Sequence, residues 1–205
     1  MTTSTPTTSI GAGRTRILRA ARTLFLDRGF AEVSMQQIAG DAAITKATLY
    51  HHFRDKEALF IEVVRREHVR VAHQLEELIA GATSLEEQLR RIAVAFFESN
   101  EGSFERLMEE LFRHVSAERF ASLYDEMHGD ATSPEGVIRA CFAQAIATGE
   151  IAPFNPDLLA TLFFSMVHGM RWVSDCSPSS TTFTQHDAAL LPHLLLHGIA
   201  SKRSP

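Results

Sequence analysis

Residues 34–57 read SMQQIAGDAAITKATLYHHFRDKE, and few folds accommodate that string. Ser34 followed by Gln37 has the spacing of a capping box, which opens a helix. Met35, Ile38, Ala39 and Ala42 fall on one face of it. Ala43 and Ile44 make a corner. Thr45 caps a second short helix, in which Leu49 and Phe53 form a buried pair one turn apart. Asp55 caps a third helix that begins at Lys56. A helix-turn-helix corner needs a small residue in the turn and apolar contacts on both sides. Ala39, Ala43, Ile44 and Leu49 supply them.

The rest of the chain is helical in pattern. Apolar spacing gives a first helix over 13–28, stopped by Gly29. The helix from Lys56 runs to about Ala80, ends at Gly81, and spans about 37 Å at 1.5 Å per residue. Ser84 and Glu87 predict a second capping box, opening a helix to about Asn100. Further helices are predicted over 103–116, over 118–128 with a break near Gly129 and a restart at Ser133-Pro134, over 156–174, and over 185–197 with Pro192 inside. Residues 175–184, DCSPSSTTFT, read as a loop. No strand alternation or solenoid repeat is present. The expected fold is all-α with about nine helices: a disordered arm over 1–12, a helix-turn-helix domain over 13–58 and a larger helical domain over 59–205.

The second corner helix carries an unusual outward set. Lys46 can donate to guanine N7 and O6, and Ala47 can touch a thymine methyl. Tyr50 and the hydroxyls of Thr45 and Thr48 suit phosphate oxygens. Ser34 and Lys56 sit at helix starts, where the dipole favours an anion. Charge is distributed to match. Through Lys56 there are eight Lys and Arg against four acids, a balance of +4 within a chain of net charge -5. A basic head on an acidic body attracts duplex phosphates without making the whole molecule adhesive for nucleic acid.

This head resembles the tetracycline-repressor-type (TetR) regulators. The likeness rests on residues 17–29, Gly29-Phe30, Ser34-Met35-Gln36-Gln37-Ile38-Ala39, Thr45 to Phe53, and Asp55-Lys56-Glu57-Ala58-Leu59. It is strongest in the Leu-Tyr-x-His-Phe-x-x-Lys core and covers about residues 13–60. The resemblance implies that Lys46, Ala47 and His51 face bases, and that Ser34, Thr45, Thr48, Tyr50, His52 and Lys56 face mostly phosphate. The family often has Gly where this chain has Ala43 and Ala47. The resemblance also implies a homodimer, which would read palindromic double-stranded DNA under the control of a small-molecule effector, and two distant cysteines without metal spacing suit a reducing cytoplasm.

The larger domain is rich in Phe and Met. Eleven of 14 Phe lie beyond residue 57. A cavity lined by Phe97, Met108, Phe112, Phe142 and Met166, with His114 and His168 as polar anchors, would suit an apolar or aromatic effector. The last two helices are apolar around much of their circumference and need a second partner. Pairing them with their two-fold mates gives a four-helix dimer interface. A repressor released by its effector is the expected function, with an activator of the same fold or a redox sensor using Cys141 and Cys176 as alternatives. No nucleophile elbow, phosphate loop or HExxH occurs in the sequence, so neither an enzyme nor a cofactor is expected. No metal ligand set is expected among His68, His73, His114, His128 and His168. No run is long and apolar enough for a membrane span. The Thr/Ser-rich start lacks the basic and apolar segments of a secretory signal.

Overall fold

The computed structural model describes residues 8–98, 103–128, 131–176 and 183–198. Among these there are ten helices and no strand: α1 (Thr8–Glu32), α2 (Met35–Asp41), α3 (Lys46–His52), α4 (Lys56–Ile79), α5 (Leu85–Glu98), α6 (Ser103–His114), α7 (Ala117–His128), α8 (Pro134–Ala147), α9 (Pro156–Cys176) and α10 (Gln185–His197). The count exceeds the expected nine because α7 ends at His128 and α8 starts separately at Pro134. Gly129 itself lies outside the described residues. Ser133 caps α8 through the Gly136 N–H at 2.8 Å, and Pro134 takes the first turn, where its missing N–H costs nothing. α1 begins at Thr8, inside the expected arm. α9 continues through Asp175 and Cys176, at the start of the expected loop. Residues 177–182 are outside the described residues.

The helices fall into two compact units. One takes in the described residues up to His68, with α6 and with α7 as far as Met127. The other takes in Val69 to Glu98, with His128 and the described residues beyond it. α4 contributes its first half to one unit and its second half to the other. Contiguous stretches of sequence do not describe this division, because α6 and α7 return to the first unit.

In the first unit, Ile17, Leu18, Ala21, Leu24 and Phe25 of α1 pack with Ile38, Leu49, Phe53, Leu59, Phe60, Leu107 and Leu111. Phe25 and Phe60 meet edge to face with centroids 4.9 Å apart, and Phe30 lies 4.9 Å from Phe60. Phe25 and Phe60 are almost fully buried, and truncating such a ring costs about 3–5 kcal/mol. Gly29, at φ 80°, breaks the helical run of α1. There the chain turns so that the Phe30 N–H donates to Glu110 Oε2 of α6 at 2.6 Å. A Cβ at position 29 would stand 3.2 Å from that oxygen, so both backbone angle and close approach favour glycine. Arg106 of α6 also donates to the Leu26 carbonyl.

In the second unit, Leu85, Leu89, Ile92 and Ala93 of α5 pack with Ile138, Cys141, Phe142 and Ala145 of α8. Ala160, Phe163 and Val167 of α9 and Ala188 of α10 complete the core. α5 and α10 form the most extensive helix pair. The predicted second capping box is only half made. Ser84 Oγ accepts the Glu87 N–H, but the Glu87 carboxylate accepts from the Thr83 N–H at 3.0 Å and from Arg91 at 2.6 Å. Arg91, one turn on, and the neighbouring Thr83 N–H draw the carboxylate away from Ser84. Glu150 reaches back to cap the Leu85 N–H at 2.7 Å.

Candidate nucleic-acid interface

The corner between α2 and α3 is built from local rules. Ser34 Oγ accepts the Gln37 N–H at 3.2 Å, and Gln37 Oε1 accepts the Ser34 N–H at 2.8 Å. At the other end Ala43 has φ 51°. Its N–H donates to the Gly40 carbonyl and the Ile44 N–H to the Ala39 carbonyl, both at 3.0 Å. That pair of bonds is a Schellman stop, in which the left-handed residue is usually glycine. Ala43 keeps the geometry at a cost of about 1–2 kcal/mol.

α3 then presents one face outward. Leu49 and Phe53 anchor it in the core at 0 % and 5 % exposure. Thr45, Lys46, Ala47, Thr48, Tyr50 and His51 are exposed, and His52 is half-buried. Thr45 Oγ1 accepts the Thr48 N–H at 3.1 Å, and the two hydroxyls lie 2.8 Å apart. One hydroxyl donates to the other, which leaves one O–H of the pair for an outside acceptor. Lys46 Nζ leans over Tyr50, 5.8 Å from the ring centre. The His51 and His52 rings are edge to face at 5.7 Å. Ala47 adds only a methyl, so nothing on that side keeps the helix from a groove floor.

Two predicted residues are placed differently. Ser34 is exposed, but its hydroxyl also donates to Gln37 Oε1 at 2.8 Å. A hydroxyl has one proton, so the cap uses the donor a phosphate would need. Lys56 turns inward. Its ammonium donates to the Phe30 carbonyl at 2.8 Å and the Ala31 carbonyl at 3.4 Å, and sits 4.2 Å from the centre of the Phe30 ring. Loss of hydration there lowers its pKa, with Glu32 pulling the other way. Its first role is to hold the end of α1. Sequence reasoning gave Arg16 and Arg19 only a share in the net charge. Both are exposed and line an open cleft of about 480 Å³ with Ala20, Thr23, Asp41, Ala42 and Ala43, beside the corner. Their three-residue spacing on α1 was the available signal.

The seven residues expected to meet an effector do not share one unit. Met108, Phe112 and His114 belong to the first; Phe97, Phe142, Met166 and His168 belong to the second. Phe112 is 75 % exposed and packs edge to face on Phe120, so it is a surface ring. His114 lies beside Phe30, at 5.4 Å between ring centres, with Nε2 3.6 Å from Glu110. Phe142 is fully buried. His168 sits between Phe96 and Phe164, with ring centres at 4.4 Å and 4.0 Å. Arg171 donates to the Phe96 carbonyl at 2.6 Å. Cys141 is buried, and burial pushes its thiol up to about 11, the opposite of what an oxidisable thiolate requires. The Cys176 side chain is outside the described residues. No helix among the described residues is long and apolar enough to cross a membrane.

Residues 17–63 match the family described as bacterial regulatory proteins, tetR family. The transcriptional repressor KstR2 of Mycolicibacterium smegmatis is 28% identical over 163 residues, covering 78% of this chain and 77% of that protein. The transcriptional regulator UidR of Escherichia coli is 28% identical over 158 residues, covering 77% of this chain and 79% of that protein. Among solved structures, Salmonella enterica GusR superposes with a TM-score of 0.66 at 26% identity, over 89% of this chain and 93% of that one. Bacillus subtilis FadR, solved in complex with stearoyl-CoA, gives a TM-score of 0.62 at 20% identity over 91% and 99% of the two chains; that likeness is one of fold. With its capped corner and exposed α3, the segment 17–63 is similar to the tetR family of bacterial regulatory proteins, and over about three quarters of its length the chain is similar to helix-turn-helix transcriptional regulators.

Proposed function

We propose that this chain is a repressor that pairs with a second copy through α9 and α10, reads a palindromic operator with α3, and lets go when an apolar effector binds. The observation that carries the DNA reading is the α3 face: six polar or small positions exposed around a pivot, Leu49, that is fully buried. A helix so anchored enters a major groove as a rigid probe. Lys46, Ala47 and His51 take base edges. Thr45, Thr48, Tyr50 and His52 take phosphates, and Arg16 and Arg19 add charge beside the corner. Repression is supported by the likeness to KstR2, itself a repressor.

The dimer is supported by an apolar stripe. Leu158, Leu162 and Trp172 of α9 are 54 %, 43 % and 68 % exposed, and Leu190 and Leu194 of α10 are 45 % and 44 % exposed. Leu158, Leu162, Ser165, Gly169 and Trp172 follow the alternating four- and three-residue steps of a helix seam. A two-fold dimer sets its recognition helices about one turn of duplex apart. An effector that prefers the form with misplaced α3 helices weakens DNA binding by the same factor that DNA weakens its own. α4 is the element we expect to carry that motion. The FadR complex makes long-chain acyl thioesters the first effectors to test.

The test is a fluorescence-anisotropy titration of duplex DNA from upstream of the chain's own gene, with and without stearoyl-CoA. Two chains per palindrome, released by the thioester, support the whole reading. Binding by a single chain to one half-site overturns the dimer. DNA binding indifferent to acyl thioesters overturns the effector class.

A further inference from the structure

His193 and His197 stand one turn apart on α10, and Glu86 lies in the first turn of α5. His193 Nδ1 is 3.1 Å from Glu86 Oε1, and His197 Nε2 is 3.0 Å from Glu86 Oε2. The two imidazole centres are 4.7 Å apart. One ligand atom from each of the three groups lies within 4.8 Å of the others. We propose that Glu86, His193 and His197 form a binding site for a divalent transition metal ion, zinc first, that clamps α10 to α5.

The donor set is one that zinc takes, two imidazoles and one carboxylate, with water completing the shell. Two histidines four residues apart on a helix project from one face, as in helical zinc motifs. Bonds of about 2.0–2.1 Å place adjacent ligands of a tetrahedral ion roughly 3.3 Å apart. The carboxylate already lies 3.1 Å and 3.0 Å from the two ring nitrogens, so an ion needs only small side-chain shifts. The supporting helices are well held. α5 and α10 pack together, Leu85, Leu89 and Ala188 are buried in one core, and Thr184 with Asp187 boxes the start of α10. The side chains are 40 % to 57 % exposed, which gives an ion a path in and water ligands. An ion satisfies all three groups through their lone pairs.

The site stands apart from the DNA reading, and its test needs no DNA. Tag-free full-length protein is titrated calorimetrically with zinc chloride, and Co²⁺ is added separately to read its visible spectrum. The expected result is one zinc per chain at micromolar concentration, a tetrahedral Co²⁺ spectrum and a zinc-dependent rise in Tm. His193→Ala/His197→Ala should lose affinity by more than the roughly 10–100-fold that loss of an outer-shell partner costs. Its substitutions are at exposed positions, and Glu86→Gln offers a milder second variant that should also weaken binding. Equal zinc affinity in wild type and the double-histidine variant, or no zinc uptake by the wild type at micromolar concentration, would overturn the proposal.

Discussion

Replacing Arg22 by methionine should loosen α1 from α4 more than any surface substitution in the head. Arg22 Nε donates to Glu67 Oε2 at 2.6 Å and its Nη2 to Oε1 at 3.0 Å, a two-point grip across 45 residues. Glu67 is 1 % exposed, and the Arg22 side chain is 34 % exposed. Removing one member of a buried ion pair costs about 3–5 kcal/mol, because the other charge stays behind. Water reaches Arg22, so its loss should cost less, about 2–4 kcal/mol. Glu67→Leu removes the buried carboxylate that Arg22→Met leaves without this two-point grip. Arg22→Met/Glu67→Leu should therefore recover much of the loss, since an apolar pair of similar volume is often neutral or better. Urea unfolding followed by circular dichroism measures all three variants, and the cycle isolates the coupling. Fluorescence of the single tryptophan, Trp172, follows the second unit separately. A cost below about 0.5 kcal/mol for Arg22→Met, the level of an ordinary surface change, would refute this reasoning. So would a double variant no more stable than the single.

Other outcomes follow from individual residues. Ala43→Gly removes left-handed strain of about 1–2 kcal/mol and adds unfolded-chain entropy worth about 0.4–1 kcal/mol, so Tm should rise slightly; a fall would mean the Ala43 methyl makes a favourable contact. Lys56→Met should lower Tm yet leave the salt slope of DNA binding unchanged, and a slope reduced by about 1 would return the ammonium to the phosphate. Cys141 titrates near 11 when folded against 9.0 in an open chain. Below pH 9 both states hold the proton; as pH rises from 9 toward 11 the unfolded chain loses it first, and Cys141 makes folding less favourable. Cys141→Ala should remove that part of the alkaline loss, read from urea midpoints across the window.

The parts of this protein that were readable in sequence are those set by neighbours along the chain. The Ser34–Gln37 box, the Thr45 cap and the Ala43 corner each depend on residues within four positions, and all three form as their spacing requires. Leu49 and Phe53 were equally legible, because helical spacing alone puts them on one side. What the sequence leaves unread depends on distant partners. Lys56 reads in sequence as a phosphate contact at a helix start, whereas Phe30 and Ala31, 26 and 25 residues away, supply carbonyls to its ammonium. Glu87 had Ser84 at capping distance, yet Arg91 and the Thr83 N–H compete for the same carboxylate. The effector residues were chosen by composition, which does not reveal that α6 packs with α1 and α9 with α8. His193 and His197 did carry a visible signal in their four-residue spacing, but Glu86 is more than 100 residues away and only the α5–α10 pairing brings it to them.

The most direct test of the central claim is the DNA affinity of Lys46→Ala/Tyr50→Ala, beside His73→Ala as a remote control. Both α3 side chains are exposed, so Tm and circular dichroism should match wild type. Affinity for the upstream duplex should fall by at least about tenfold, since one good base contact is worth about 1–3 kcal/mol, while the control binds normally. Unchanged binding by the α3 variant would show that this helix is not the part of the molecule that reads DNA.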